Sequence, residues 1–142
     1  MAIFHRLKSW FAAKPPVEFR HPEFGVLTLD SPGGLWTGYA QREGSSIRFY
    51  IGGTDTEPDA GLLDRVQEVV GRFPEVDGTA LDFLGAQDAS VRQGEFEFYS
   101  LNFLWENKPH IFALEFTLVG DDDGIWNVEH DSGHPIFVGR DD

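Results

Sequence analysis

The clearest pattern in the chain is strict alternation. Phe112, Leu114, Phe116 and Leu118 take every second position, with Ala113, Glu115 and Thr117 between them, and this predicts a strand with one buried face. Ile47, Phe49 and Ile51 alternate with Arg48 and Tyr50 in the same way. Two earlier strands are expected over 24–30 and 35–41. The turn formers Ser31-Pro32-Gly33-Gly34 and Arg42-Glu43-Gly44-Ser45 separate the three runs, which makes them an antiparallel meander. In residues 95–106, Phe96 and Phe98 share one phase, while Tyr99, Leu101, Phe103 and Trp105 share the other. A slip of that kind predicts a β-bulge near Tyr99, or a strand that buries both faces in turn. Asp121-Asp122-Asp123-Gly124 is expected to turn the chain into another strand over 125–130. Asp131-Ser132-Gly133 then turns it into a final edge strand around Ile136, Phe137 and Val138.

The period changes in two places. Leu62, Leu63, Val66, Val69, Val70 and Phe73 form one helical stripe, with Asp64, Arg65, Gln67, Glu68 and Arg72 off it. Thr56 is the expected cap, with Pro58 in the first turn, and Pro74 the expected terminator. Asp77 is then expected to cap a second, shorter helix through Ala80, Leu81, Phe83 and Leu84, stopped at Gly85. At the N-terminus Phe4, Leu7, Trp10 and Phe11 fall at helical spacing and Arg6 and Lys8 lie off that stripe, predicting an amphipathic helix over 3–13 that Lys14-Pro15-Pro16 ends. The expected fold class is α+β: an antiparallel sheet of six or seven strands, in the order βββ-αα-ββββ, with two helices packed on one face, plus the N-terminal amphipathic helix. Residues 1–16 are read as that helix with its Pro-Pro linker, and 17–142 as a single domain.

Composition changes the picture in two respects. The 13 Phe and 4 Trp imply a core built on rings, and 142 residues suffice to enclose it. The net charge is −13, unevenly distributed: Arg6, Lys8, Lys14 and Arg20 against Glu18 leave the first 20 residues at +3, so the other 122 carry −16. An acidic body argues against nucleic acid, whose phosphates need clustered Lys and Arg, and favours a basic protein partner. The absence of Cys points to an intracellular, cytoplasmic setting and excludes thiol chemistry. No run approaches the ~20 apolar residues of a membrane-spanning helix.

No motif for chemistry stands out. His130 and His134 flank Asp131, but Ser132, Gly133 and Pro135 oppose the helix that would put both imidazoles on one face, so no metal site is expected. His21-Pro22-Glu23 pairs a base with a carboxylate without a further partner. There is no nucleophile elbow and no phosphate-binding glycine loop, and no cofactor is expected. Trp36, Trp105 and Trp126 are read as strand residues packed in the core. Three functions remain. The first is a non-enzymatic interaction module that meets a basic partner through Asp121, Asp122 and Asp123 together with Asp55, Glu57 and Asp59. The alternative is a small-molecule binder or hydrolase with His21, Glu23, His130 and His134 at the mouth of a pocket between sheet and helices. The third is a homodimer through the N-terminal helix, with Phe4, Leu7, Trp10 and Phe11 as its interface.

His21-Pro22-x-Phe24-Gly25, then Trp36, an Ile47-x-Phe49-x-Ile51 strand, paired helices and a late Ile125-Trp126-x-Val128 strand resemble small bacterial domains of unknown function, some of them similar to immunity proteins encoded beside polymorphic toxins. The resemblance covers residues 21–138, leaves the basic head outside, and carries no catalytic residue across. It implies a cytoplasmic bacterial protein that works by binding.

Overall fold

Two tight turns with left-handed backbone set the hairpins. The computed structural model describes residues 16–31, 33–87 and 95–141. Glu43 and Gly44, at φ 50° and 81°, connect β3 (Leu35–Arg42) to β4 (Ser45–Ile51). Ser132 and Gly133, at φ 53° and 87°, connect β7 (Asp121–Asp131) to β8 (His134–Asp141) in the same manner. Such pairs twist with the strands they join. β1 (Glu18–His21) and β2 (Gly25–Ser31) precede β3, while β5 (Phe96–Phe103) and β6 (Ile111–Leu118) precede β7.

All eight strands form one sheet in the order β1-β2-β3-β4-β5-β6-β7-β8. Its pairs are antiparallel except the central one, where β4 runs parallel to β5 from Phe49↔Leu101 to Ile51↔Phe103. The sheet is therefore mixed and eight-stranded, which corrects the expected antiparallel sheet of six or seven. Two causes account for the difference. The sequence of β1, Glu-Phe-Arg-His, has a single apolar residue and so no visible alternation. The chain also leaves β4 through two helices and re-enters from the opposite end, a crossover that makes the next strand parallel. The amphipathic helix expected over 3–13, with Phe4, Leu7, Trp10 and Phe11, and the homodimer built on it lie outside the described residues.

The helices are α1 (Ala60–Gly71) and α2 (Phe73–Gln87). Asp59, not Thr56, caps α1: its Oδ1 accepts the Leu62 amide at 2.9 Å. Thr56 instead belongs to a turn closed by Thr54, and Pro58 bridges to Gly53. Pro74 opens α2 rather than ending α1, because a first-turn amide has no helical acceptor and its loss costs nothing there. Asp77 and Gly85 consequently fall inside α2. The Arg42 guanidinium donates to the Val70 and Gly71 carbonyls at 2.8 Å each, tying the C-terminus of α1 to β3.

α1 lies over β4 and β5, and α2 over β7 and β8. Leu62, Leu63, Val66, Val69, Ala80 and Leu84 close the core from the helix side. Rings fill the sheet side: Phe98 meets Phe73 edge-on at 4.8 Å and Phe116 at 6.2 Å. Trp36 is fully buried and donates its Nε1–H to the Thr54 carbonyl at 2.8 Å. Trp126 is half-buried, and Trp105 lies past the end of β5. The acidic run is not the hairpin turn. Val119 and Gly120 make that turn, and the register then jumps from Leu118↔Asp121 to Thr117↔Ile125, so the run opens β7 as a bulge.

Candidate functional site

The bulge at Tyr99 builds the site. Phe98 pairs with Phe116 but Ser100 pairs with Glu115, so one residue is passed over and the phase of β5 inverts. Ser100 and Asn102 thereby join the sheet face turned away from the helices. Thr37, Tyr50, Asn102, Ala113, Glu129 and Phe137 are successive partners across β3 to β8 and make one row on that face. Glu115, Asn127 and Gly139 make the next. No described helix packs there.

Two adjoining hollows occupy this face and share Asn102, Leu104 and Glu115. One, of about 260 Å³, lies against Leu35, Tyr50 and Tyr99. The other, of about 230 Å³, reaches Trp105, Glu129, Phe137 and Asp141. Trp105 and Phe137 remain 38% and 56% exposed, large apolar surfaces that the chain leaves in water. Arg48 is already engaged, with its guanidinium carbon 5.1 Å from the Tyr99 ring centroid and 5.8 Å from that of Tyr39. Burial pushes the neighbouring Tyr50 hydroxyl up from its ordinary pKa.

A hydrogen-bonded relay forms the floor. Ser100 Oγ–H donates to Asn102 Oδ1 at 3.0 Å, and Asn102 Nδ2–H donates to the Glu115 carboxylate. Burial nevertheless pushes the Glu115 carboxyl above its usual pKa, and the charge of Asp141 adds to the rise against those donors. Glu115, Glu129 and Asp141 enter no ion pair among the described residues. The hollow thus gathers carboxylates between apolar walls, and no cation is among its described lining residues.

The residues singled out from sequence fall elsewhere. Asp55 Oδ1 accepts the Gly33 amide at 2.9 Å and Asp59 caps α1. Glu57 and Asp59 line a hollow of about 450 Å³ with Phe19 and Glu106, at the end of the sheet rather than on its face. Asp121, Asp122 and Asp123 open β7. His21 Nδ1 accepts the Glu23 and Phe24 amides at 3.1 and 3.3 Å and stacks on Phe24, which makes it a turn residue beside Glu23. His21 and Glu23 belong to the β1 edge, whereas His130 and His134 flank the β7–β8 turn. The four do not converge on one pocket. Among the described residues no group of His, Cys, Asp or Glu is arranged to hold a metal. Sequence reasoning missed Ser100, Asn102, Glu115, Glu129 and Asp141. The usable signal was the phase slip at Tyr99, followed by two polar residues inside the run Ser100-Leu101-Asn102-Phe103.

His130 is 1% exposed and points to the core. Its ring stacks on Phe112 at 4.5 Å, Nδ1 bonds the Val128 carbonyl at 3.0 Å, and Nε2 has no hydrogen-bond partner among the described residues. Desolvation holds its pKa below the usual 6.5, so the unfolded chain binds this proton first as pH falls. Stability contributed by the neutral ring is complete above 6.5 and is lost as pH drops toward the folded-state value. His130→Phe keeps the stack and removes the titration. Urea midpoints measured across this range are expected to decline more steeply in the parent than in the variant, and parallel curves would refute it.

No family model, no curated protein and no solved structure matches this chain.

Proposed function

We propose that the protein is a non-enzymatic interaction module whose sheet face opposite α1 and α2 receives a basic segment of a protein partner. The observation that carries this reading is the hollow between β5 and β8, where Glu115, Glu129 and Asp141, without an ion pair among the described residues, lie between Trp105, Leu104 and Phe137. Exposed aromatics give contact area at low entropic cost, and carboxylates in an apolar surround attract cations more strongly than they would in bulk water. The net charge of −13 adds long-range steering toward the same class of partner. In its finer form the partner is a basic toxin domain, and the protein acts in the cytoplasm as an immunity-like antagonist. A cysteine-free composition suits that compartment. No described helix is long and apolar enough to cross a membrane.

The test separates this face from the other acidic surface. Polylysine is titrated into the protein at low salt while the backbone amides are followed by NMR. Shifts are expected in β5 to β8, and Glu129→Lys combined with Asp141→Lys is expected to weaken binding about tenfold or more, a loss of ~1.4 kcal/mol. Asp55→Lys combined with Glu57→Lys is expected to stay within about twofold. Equal effects of the two pairs, or shifts centred on the β4–α1 loop, would move the site off the sheet face.

A further inference from the structure

We infer that β8 is a docking edge, to which an extended segment of the basic partner, alternating cationic and apolar side chains, adds as a further strand. The inference takes the partner's charge from the proposed function and goes beyond it in the mode of attachment.

The two edges of the sheet differ in kind. β1 has four residues, carries Glu18 and Arg20, and is followed at once by Pro22. That is a blunted edge. β8 has eight residues, and its run Pro135-Ile136-Phe137-Val138-Gly139 carries no charge. Ile136 and Phe137 are both more than half exposed. Edge strands that must stay unpaired are normally shortened or charged, so a long apolar edge is suited to receiving a strand. A bulge at Ile136, set by Glu129↔Phe137 and His130↔Pro135, confines regular pairing to 137–141.

A hollow flanks this edge on each face. On the side opposite α1 and α2 Phe137 and Asp141 border the carboxylate hollow. On the α2 side Trp126, Ile136 and Val138, with Phe137 at the border of both hollows, line one of about 320 Å³, roofed in part by the Arg140 guanidinium 5.4 Å from the Trp126 ring centroid. An added strand sends successive side chains to opposite faces. Every second residue would thus meet Glu129 and Asp141 and must be cationic, while those between would meet Trp126 and Val138 and must be apolar. A second copy of this chain does not supply that pattern, because Phe137, Gly139 and Asp141, the residues of its own β8 that share a face, include no cation.

The experiment uses peptides as long as β8 with equal numbers of lysine and valine. One alternates the two residues and one segregates them into blocks. Two further alternating peptides are N-methylated, either at every lysine amide or at every valine amide. Calorimetry at low salt is expected to give about tenfold tighter binding to the alternating peptide than to the block peptide. Of the N-methylated pair only one should bind, since only one set of amides faces β8. Hydrogen exchange should show the amides of 137–141 becoming protected in the complex. Equal binding of all four peptides would overturn strand addition and leave charge-driven binding to the face intact. If none binds, both readings fail. A protein that sediments as a dimer, or whose 137–141 amides are protected before any peptide is added, would show the edge already occupied and would also overturn the inference.

Discussion

Gly34→Ala is expected to destabilise the fold by about 4 kcal/mol, whereas Gly33→Ala one position earlier should cost only about 1 to 2 kcal/mol. Both glycines hold left-handed backbone, at φ 85° and 102°. That conformation penalises any L side chain, and the penalty is common to the two variants. Their surroundings differ. A Cβ at Gly33 meets nothing within 4 Å, while one at Gly34 would lie 2.1 Å from the Gly53 carbonyl oxygen and 2.6 Å from its carbon. Backbone cannot rotate aside as a side chain can, so the β2–β3 turn and the β4–α1 loop must separate. That separation breaks more than one contact, because Trp36 bonds Thr54 and Gly33 bonds Asp55 across the same junction. Thermal melts should place Gly34→Ala roughly 12 °C below the parent and Gly33→Ala about 3 to 6 °C below it. Equal shifts would mean that the glycine-on-glycine contact does not hold the loops together.

This junction illustrates what the sequence could and could not reveal. Gly33-Gly34 is legible as a turn because the residue types demand it, and so are Glu43-Gly44 and Ser132-Gly133. Alternation along β4 and β6 gives their buried faces directly, and the slip at Tyr99 reports the bulge. These features depend on neighbours in sequence. The parallel β4–β5 pair does not. It depends on where the chain re-enters the sheet after two helices, and no residue in Phe49-Tyr50-Ile51 records that. Helix boundaries failed for a related reason: Thr56 and Asp59 both suit a cap, and Pro74 suits the end of one helix and the start of the next.

The site was harder still to read. Asn102, Glu115, Glu129, Phe137 and Asp141 come from four strands, and only the register β5-β6-β7-β8 brings them side by side. Sequence reasoning was drawn to Asp121, Asp122 and Asp123 and to Asp55, Glu57 and Asp59 because those carboxylates are close in the chain. Two of them, Asp55 and Asp59, are committed to turn and cap bonds. Proximity in sequence marked carboxylates with structural duties. The carboxylates that meet in the hollow are far apart in the chain, each on a different strand, and nothing in their local sequence marks them.

Glu115→Gln is expected to move stability and binding in opposite directions, the mark of a group held for a partner rather than for the fold. The folded-state pKa of Glu115 lies above its unfolded value, chiefly through burial and then through the charge of Asp141. The folded protein therefore binds this proton more readily than the unfolded chain, and ionising Glu115 at neutral pH works against folding. Glutamine keeps the shape and still accepts the Asn102 amide, but carries no charge to desolvate. The variant should unfold at a higher urea concentration than the parent at neutral pH. The gap should be full above the raised pKa and close as pH falls to the ordinary value of 4.5, where the parent too is largely neutral. Binding runs the other way. Removing one member of a partly buried charge pair leaves the partner's cation uncompensated, a loss of about 2 kcal/mol, or ~30-fold in affinity for polylysine at low salt. A variant that is less stable than the parent at neutral pH would show that the charge supports the fold, and one that binds as tightly would take Glu115 out of the recognition surface.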